Sequence, residues 1–569
     1  MFKNYLFFFE TKFLHIFALI FLFIIVSTLE MIGVGTIPIL LSVFINPDAL
    51  EKYFPFNNLI DIFLQNDLKT QLFLISSLIF IVFFSKNFLI FIVNYYKTKF
   101  FLNLKLDLTR KSINKVIGNS YRYYLIENNA VLIKFFGTDI TRTITYLDKS
   151  LVIIQEFLIF IFIVLLLIFT LPTSYILILL ISVLSLLLFY NISKNKMKKL
   201  SYMSNVNITG LMKNINQIYG SIKEVKIYNK FDFFENKIVD LQDKVQKLEF
   251  YSQMINKLPK IILEIVSVTA LIAILLFSFN NQKTFVDIVP ILGLVAFSLI
   301  KIAPSLNSFA ASYIQMKAFE VSLEQIKNLL SNTSFIFNKN IKENNNFSFN
   351  KKIEVKNLYF NYDKVKKRTL NNVSFELNKG EMVTVTGESG SGKTTLIDLL
   401  LGLHDNYDGE ILVDGKNILK NISQWHKILA FVPQQVYIFD ESLKNNIAFG
   451  YNNADINEER IAFCVKMSEL ENYIKNLPKG IDTVVGDRGK QMSGGQLKRL
   501  GIARALYRNP EILILDEATS EVDNITEKRI LNNLQNLKKE LTIISITHNV
   551  KNIDKASKVI KLSQGNLIN

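Results

Sequence analysis

The chain has 569 residues, half of them apolar, with 65 basic against 49 acidic side chains and a formal net charge of +16. Its one cysteine, Cys464, excludes an internal disulfide and a thiolate metal cluster, and four scattered histidines argue against a histidine metal site. The basic residues form no single patch or tail; many flank apolar runs, as on the cytoplasmic side of a membrane protein, so the charge points to a membrane and not to nucleic acid.

Length alone allows three or four domains of average size, but the apolar residues are unevenly spread. Before about residue 325 the chain is rich in Phe, Leu and Ile runs; after about residue 350 it reads as an ordinary soluble α/β domain. This predicts an α-helical membrane domain over 1–330, a linker over 331–350 with an Asn and Lys bias, and an α/β domain over 351–569. Residues 1–11 read as an amphipathic elbow on the cytoplasmic face. The apolar stretch that follows is too long for a signal-peptide core and carries no small-residue cleavage site.

A spanning helix needs roughly 20 mostly apolar residues. Six such runs occur, at about 13–45, 71–97, 146–170, 173–192, 259–280 and 286–318. The first outer loop, 46–70, holds Asp48, Glu51, Asp61 and Asp67, and within it Leu59, Ile60, Phe63 and Leu64 share one face of a short surface helix. A packed loop explains the same residues equally well. The segments 98–145 and 193–258 are long and lysine-rich, so they belong in the cytoplasm together with both termini and the soluble domain. They read as helical extensions of the spans, with turns near Ile126–Ala130 and Tyr219–Ile222 as the points that reach the soluble domain.

In the soluble part, Gly387-Glu388-Ser389-Gly390-Ser391-Gly392-Lys393-Thr394-Thr395 lies between a β-type run and an apolar helix. Glycines let successive N–H groups wrap a phosphate, and the helix N-terminus adds its positive end. Lys393 reaches the β- and γ-phosphates in such a loop, and the Thr394 hydroxyl suits Mg²⁺. Downstream, Ile512-Leu513-Ile514-Leu515-Asp516-Glu517 is a buried strand ending in two carboxylates. Asp516 suits a metal-directed role, and Glu517 is placed to polarise an attacking water as general base.

Between them stands Met492-Ser493-Gly494-Gly495-Gln496, followed by Lys498-Arg499 and Ala503-Arg504-Ala505. This resembles the signature motif of the ABC ATPases, there usually Leu-Ser-Gly-Gly-Gln, and the resemblance covers about 351–569. It implies an adenine-stacking role for Tyr362, a metal- and water-contacting role for Gln434, and a γ-phosphate contact for His548. It also matches Thr483–Gly489 to an exporter-type loop and Ser520-Glu521-Val522-Asp523 to a dimer-contact loop. Met492 stands where Leu is common, Glu521 where Ala is usual, and Thr547 precedes the histidine; none of these removes a catalytic group.

The fused, membrane-first arrangement resembles six-span ABC exporters of the type IV fold. That implies ATP and Mg²⁺ as cofactors, and a homodimer in which the signature of one copy covers the ATP of the other. It further implies a bacterial inner-membrane location and alternating access driven by ATP hydrolysis. Leu258-Pro259-Lys260-x3-Glu264 and Ile300-Lys301-x2-Pro304-Ser305 make the membrane half similar to flippases for lipid-linked oligosaccharides of protein N-glycosylation, where the corresponding basic residues are typically arginines. Lys86, Lys260 and Lys301 are then candidate ligands for a polyprenyl pyrophosphate glycan; pairing with Glu30, Glu156 and Glu264 is the plainer explanation of the same residues. A lipid A, drug or peptide exporter has the same motifs, whereas a non-transporting ATPase or an importer fits the six spans less well.

Overall fold

The computed structural model describes residues 7–9, 12–45, 67–126, 129–171, 196, 199–200, 202–280, 285–331, 347–362, 369–486, 492–537, 541–547 and 556–568. The chain divides into two compact units, Met1–Ile117 with Glu127–Ser334, and Gly118–Ile126 with Phe335–Asn569. In chain order the principal N-terminal helices are α1 (Phe13–Ile45), α2 (Leu68–Ile117), α3 (Tyr121–Ile126), α4 (Ile140–Thr170), α5 (Phe231–Asn280) and α6 (Phe285–Ser331). All but α3 belong to the first unit.

Five helices among the described residues are long and apolar enough to cross a membrane: Phe13–Leu41, Lys69–Ile117, Val131–Thr170, Phe231–Leu276 and Ile288–Ser331. The predicted span 173–192 and the outer-loop helix around 59–64 lie outside the described residues, as does most of the linker. Helices α2 and α5 have 50 residues each. At helical rise that is about 75 Å, against a hydrocarbon core of about 30 Å. Each therefore joins a span to a long extension without a break, because no Gly or Pro cluster interrupts the periodic run.

The first unit buries Phe23, Leu147, Leu151, Leu323 and Ile326 completely where α1, α2, α4 and α6 meet. A second cluster, around Val34, Ile163, Ile274 and Val295, adds α5. Phe80, Phe84, Phe88 and Phe91 line one exposed stripe of α2, the spacing of a single helical face. An apolar stripe left outward suits lipid chains. Near the start of α4 the helix is wound as a π turn over Phe135–Asp139. The turn brings Asp139, only 2% exposed, to Ser322, whose hydroxyl donates to Oδ1 at 2.8 Å, and to Lys134 at 3.5 Å.

The second unit holds two sheets. One is antiparallel, in the order β2–β1–β4–β5: β1 (Lys352–Phe360), β2 (Leu370–Asn378), β4 (Asp408–Val413) and β5 (Lys416–Asn417). The other runs β10–β9–β3–β8–β7–β6 and contains β3 (Met382–Gly387), β6 (Leu429–Val432), β7 (Ile512–Asp516), β8 (Thr542–Ile546), β9 (Lys558–Ser563) and β10 (Asn566–Ile568). Within it β3 pairs in parallel with β8 and β9, and β7 in parallel with β8 and β6. Every residue of β7 and β8 is buried, which explains why both are mostly Ile and Leu, with only Asp516, Thr542 and Ser545 polar. Helix α7 (Lys393–Leu400) follows β3 directly, and α8 (Ile422–Ile428) leads into β6. The Trp425 indole donates to Leu400 O and the His426 ring bonds Leu401 O, both at 2.8 Å, which satisfies carbonyls at the end of α7.

Helix α3 is grouped with this second unit, so the reaching segment is Gly118–Ile126, whose last residue begins the turn predicted at Ile126–Ala130. The Tyr121 ring meets His404 edge-on at 5.9 Å. His404 is 3% exposed and also touches Phe360 and Tyr362, with centroids 5.0 and 5.7 Å apart. Burial holds its imidazole below the usual range. The other predicted turn, Tyr219–Ile222, belongs to the first unit.

Candidate functional site

Strands β3 and β7 run parallel with β8 between them, so Gly387 and Asp516 emerge at the same edge of the sheet, one strand apart. Open α/β sheets bind ligands at this carboxyl edge. Gly387 has φ 152, and a Cβ there would stand 2.2 Å from Leu562 O, so only glycine fits where the loop leaves β3. Glu388, Ser389 and Gly390 are exposed, whereas Ser391, Gly392, Lys393 and Thr395 are buried and Thr394 is open. Lys393 Nζ donates to Gly387 O at 2.7 Å and Glu388 O at 2.8 Å. The buried Ser391 hydroxyl has no hydrogen-bond partner among the described residues. An orphaned hydroxyl and a lysine folded onto its own loop carbonyls are the donors that phosphate oxygens would satisfy. Tyr362 closes one side, with its hydroxyl 3.3 Å from Thr395 Oγ1.

At the end of β7, Asp516 is 8% exposed. Burial, then the neighbouring Glu517 charge, raise its carboxyl above the ordinary range, with Lys498 and Lys393 opposing. Glu517 has φ 47, a left-handed conformation uncommon for a residue with a Cβ. Gln434 Nε2 donates to Glu517 Oε2 at 2.8 Å across 83 residues of sequence. The geometry therefore unites the predicted base and the predicted water-orienting amide. On α7, Asp398 is raised to about 6 by burial and by the charge of Asp516.

The signature begins α11; between lie α9 (Leu443–Ile447) and α10 (Glu458–Met467), and α11 itself is Gly494–Tyr507. Ser493 caps it: its Oγ accepts from Gln496 N at 3.3 Å while Gln496 Oε1 accepts from Ser493 N at 2.8 Å. That reciprocal box fixes the Ser-Gly-Gly-Gln turn. The Glu521 carboxylate lies against Gly494, and a Cβ on Gly495 would meet Glu521 O at 2.8 Å. Arg504 donates to Asn446 O and Tyr437 O at 2.8 Å each and lies over the Phe449 ring. Burial lowers its guanidinium to about 10. Asp523 caps α12 (Asn524–Asn536) by accepting from Thr526 N. His548, Asp487 and Gly489 lie outside the described residues.

In the first unit Lys86 is 1% exposed and donates to Glu30 Oε2 at 2.9 Å. Lys301, more open, stands 3.7 Å from Glu30 Oε1. One carboxylate thus serves two ammonium groups from α2 and α6. Lys260 is exposed on α5, and the Ser305 hydroxyl of α6 bonds Glu156 O of α4 at 3.2 Å. Nothing in the sequence marks a role for Lys498, Asp398, His404 or Trp425. Their partners are main-chain carbonyls, rings or distant carboxylates, which leave no local spacing to read.

Two family models match the chain: the ABC transporter transmembrane region over residues 48–297 and the ABC transporter domain over residues 370–520. Together they take in most of the sequence, and the chain belongs to the ABC transporter family, with a transmembrane region fused ahead of its ATP-binding domain. It is 34% identical over 312 residues to the heterocyst differentiation ATP-binding protein HepA of Nostoc sp., covering 55% of this chain and 50% of that protein. It is 42% identical over 209 residues to an ATP-dependent lipid A-core flippase of Haemophilus influenzae, covering 37% and 35%. Against the multidrug resistance-like ATP-binding protein MdlA of Buchnera aphidicola it is 31% identical over 350 residues, covering 61% and 60%. The matched part thus spans about a third to three fifths of these relatives' lengths. The fold matches the structure of a bacterial Atm1-family ABC exporter with ATP bound, at a TM-score of 0.79 and 20% identity, over 98% of this chain and 95% of that one.

Proposed function

We propose that the chain is one half of an ATP-hydrolysing exporter that pairs with a second copy and moves a polyprenyl pyrophosphate-linked oligosaccharide across the bacterial inner membrane. The observation that carries the ATPase reading is the Gln434–Glu517 bond of 2.8 Å at the sheet edge that also carries the phosphate loop. Glu517 accepts a proton from the attacking water while the Gln434 amide holds that water in line. Lys393 trades its bonds to Gly387 O and Glu388 O for the β- and γ-phosphates, and the Ser391 hydroxyl and loop N–H groups cradle the remaining oxygens. Tyr362 stacks on adenine, Ser493, Gly494, Gly495 and Gln496 cover the ATP of the partner copy, and His548 completes the γ-phosphate contacts. Mg²⁺, held by Thr394, Gln434 and Asp516, would neutralise phosphate charge; the raised Asp516 carboxyl next to Glu517 fits a cation-binding pair.

ATP favours the closed pair of nucleotide domains and hydrolysis releases it, so the long helices alternate between inward- and outward-facing states. For the cargo, the support is the two-to-one ratio of Lys86 and Lys301 to Glu30, which leaves a positive excess for an anionic headgroup, with Lys301 the more exposed. Lys260 adds a third lysine, near the cytoplasmic boundary. A lipid A exporter is the second reading, favoured by the 42% identity to a lipid A-core flippase.

Reconstitution in proteoliposomes separates the two. ATP-dependent flipping of the pyrophosphate-linked oligosaccharide, lost when Lys86 and Lys301 are both replaced by Ala while basal ATPase persists, supports the first. Flipping of lipid A alone would replace it.

A further inference from the structure

We propose that Lys498, in the second turn of α11, is a positioning residue that fixes the water-orienting Gln434 and the base Glu517 relative to each other. The proposal rests on the ATPase reading above and assigns a role to a residue outside it. Lys498 is 3% exposed. Its Nζ donates to the main-chain carbonyl of Gln434 and, at 3.1 Å, to that of Glu517. Three segments far apart in sequence, around residues 434, 498 and 517, are thus tied through one ammonium group.

The Glu517 carbonyl is doubly constrained, because the Ser520 hydroxyl also donates to it at 2.9 Å. Glu517 needs such restraint: at φ 47 its backbone sits in a conformation that side-chain-bearing residues keep only when their surroundings enforce it. The Gln434 segment is gripped by the same helix one turn further on. A Cβ on Gly501 would lie 2.7 Å from Val436 Cγ2 and 3.2 Å from Val432 Cγ1, so the helix and this segment are in close approach on either side of Gln434. The signature turn, capped by Ser493, is at the start of that helix. Any shift of the signature is therefore passed through Lys498 to both groups that handle the water.

Burial lowers the basicity of Lys498, and the Glu521, Glu517 and Asp516 carboxylates act in the opposite direction. The bonds to the two carbonyls set geometry, and the charge steadies the acidic cluster beside which the water is activated.

The test uses the full-length protein in lipid, as wild type, Lys498→Met and Lys498→Gln. Methionine keeps the apolar stem and removes both donors; glutamine restores a donating amide without charge. We expect Lys498→Met to lower kcat about tenfold or more with KM for ATP within about twofold of wild type, and Lys498→Gln to recover a substantial part of the loss. Binding of a fluorescent ATP analogue, measured on each variant, reports whether the nucleotide site is intact. A Lys498→Met protein with wild-type kcat overturns the proposal. So does a parallel loss of kcat and ATP binding in both variants, which would make Lys498 a merely structural residue. Wild type without ATPase activity would instead overturn the ATPase reading itself.

Discussion

Several buried and half-buried cations find different partners in the two units. In the nucleotide unit they meet main-chain oxygens: Lys393 at Gly387 and Glu388, Lys498 at Gln434 and Glu517, Arg504 at Asn446 and Tyr437. In the membrane unit they meet carboxylates: Lys86 and Lys301 at Glu30, Lys134 at Asp139, Lys97 at Asp148. A carbonyl dipole orients a cation without cancelling its charge, so Lys393 keeps the charge that the proposed phosphate contact needs. A carboxylate offsets the charge, which hydrocarbon surroundings favour, although Glu30 alone offsets only one of Lys86 and Lys301. What a lysine meets, and how many lysines share that partner, thus says more about its free charge than its burial does.

Removing one cation from each unit breaks this comparison most sharply. Lys86→Met leaves the Glu30 carboxylate with only the more distant Lys301, and should cost about 3–5 kcal/mol of stability, seen as a lowered unfolding temperature in detergent. Adding Glu30→Gln should restore much of it; no recovery would mean that the pair is not the source of the loss. Lys393→Met removes no carboxylate partner, so its unfolding temperature should stay near wild type while ATP affinity falls about tenfold or more.

A smaller effect concerns acid. Asp398 is held at about 6, above its ordinary value, so the folded state keeps a proton that the unfolded chain has already lost. Its contribution is full at low pH and fades as pH rises through about 6. The difference in unfolding temperature between wild type and Asp398→Asn should therefore move against wild type as pH is raised from about 4.5 to 7. A difference that is flat across this range would contradict the burial of the Asp398 carboxyl.

Much of this was legible where chemistry dictates residue type at fixed spacing. Gly387 to Thr395 read as a phosphate loop because glycine freedom and a helix N-terminus are both needed there, and β7 read as a buried strand because the four residues before Asp516 are all apolar. Five of the six expected spans correspond to long apolar helices among the described residues and were legible from length and apolarity. Partners were not. Glu30 and Lys86 are 56 residues apart, and the choice between cargo ligand and ion pair depends on how α1 faces α2. The reaching helix α3 was expected a few residues later, because ring packing of Tyr121 on His404 leaves no turn signature. Lys498 went unassigned for a similar reason: its partners are backbone carbonyls, which any sequence supplies.

The most direct measurement is steady-state ATP hydrolysis by the full-length protein in lipid, comparing wild type with Glu517→Gln and measuring ATP binding on both. Glutamine keeps the size and the bond to Gln434 but cannot accept the proton from water. Retained ATP binding with turnover abolished is the predicted result. Hydrolysis at the wild-type rate in Glu517→Gln would contradict the assignment of the base, and with it the account of how this site works.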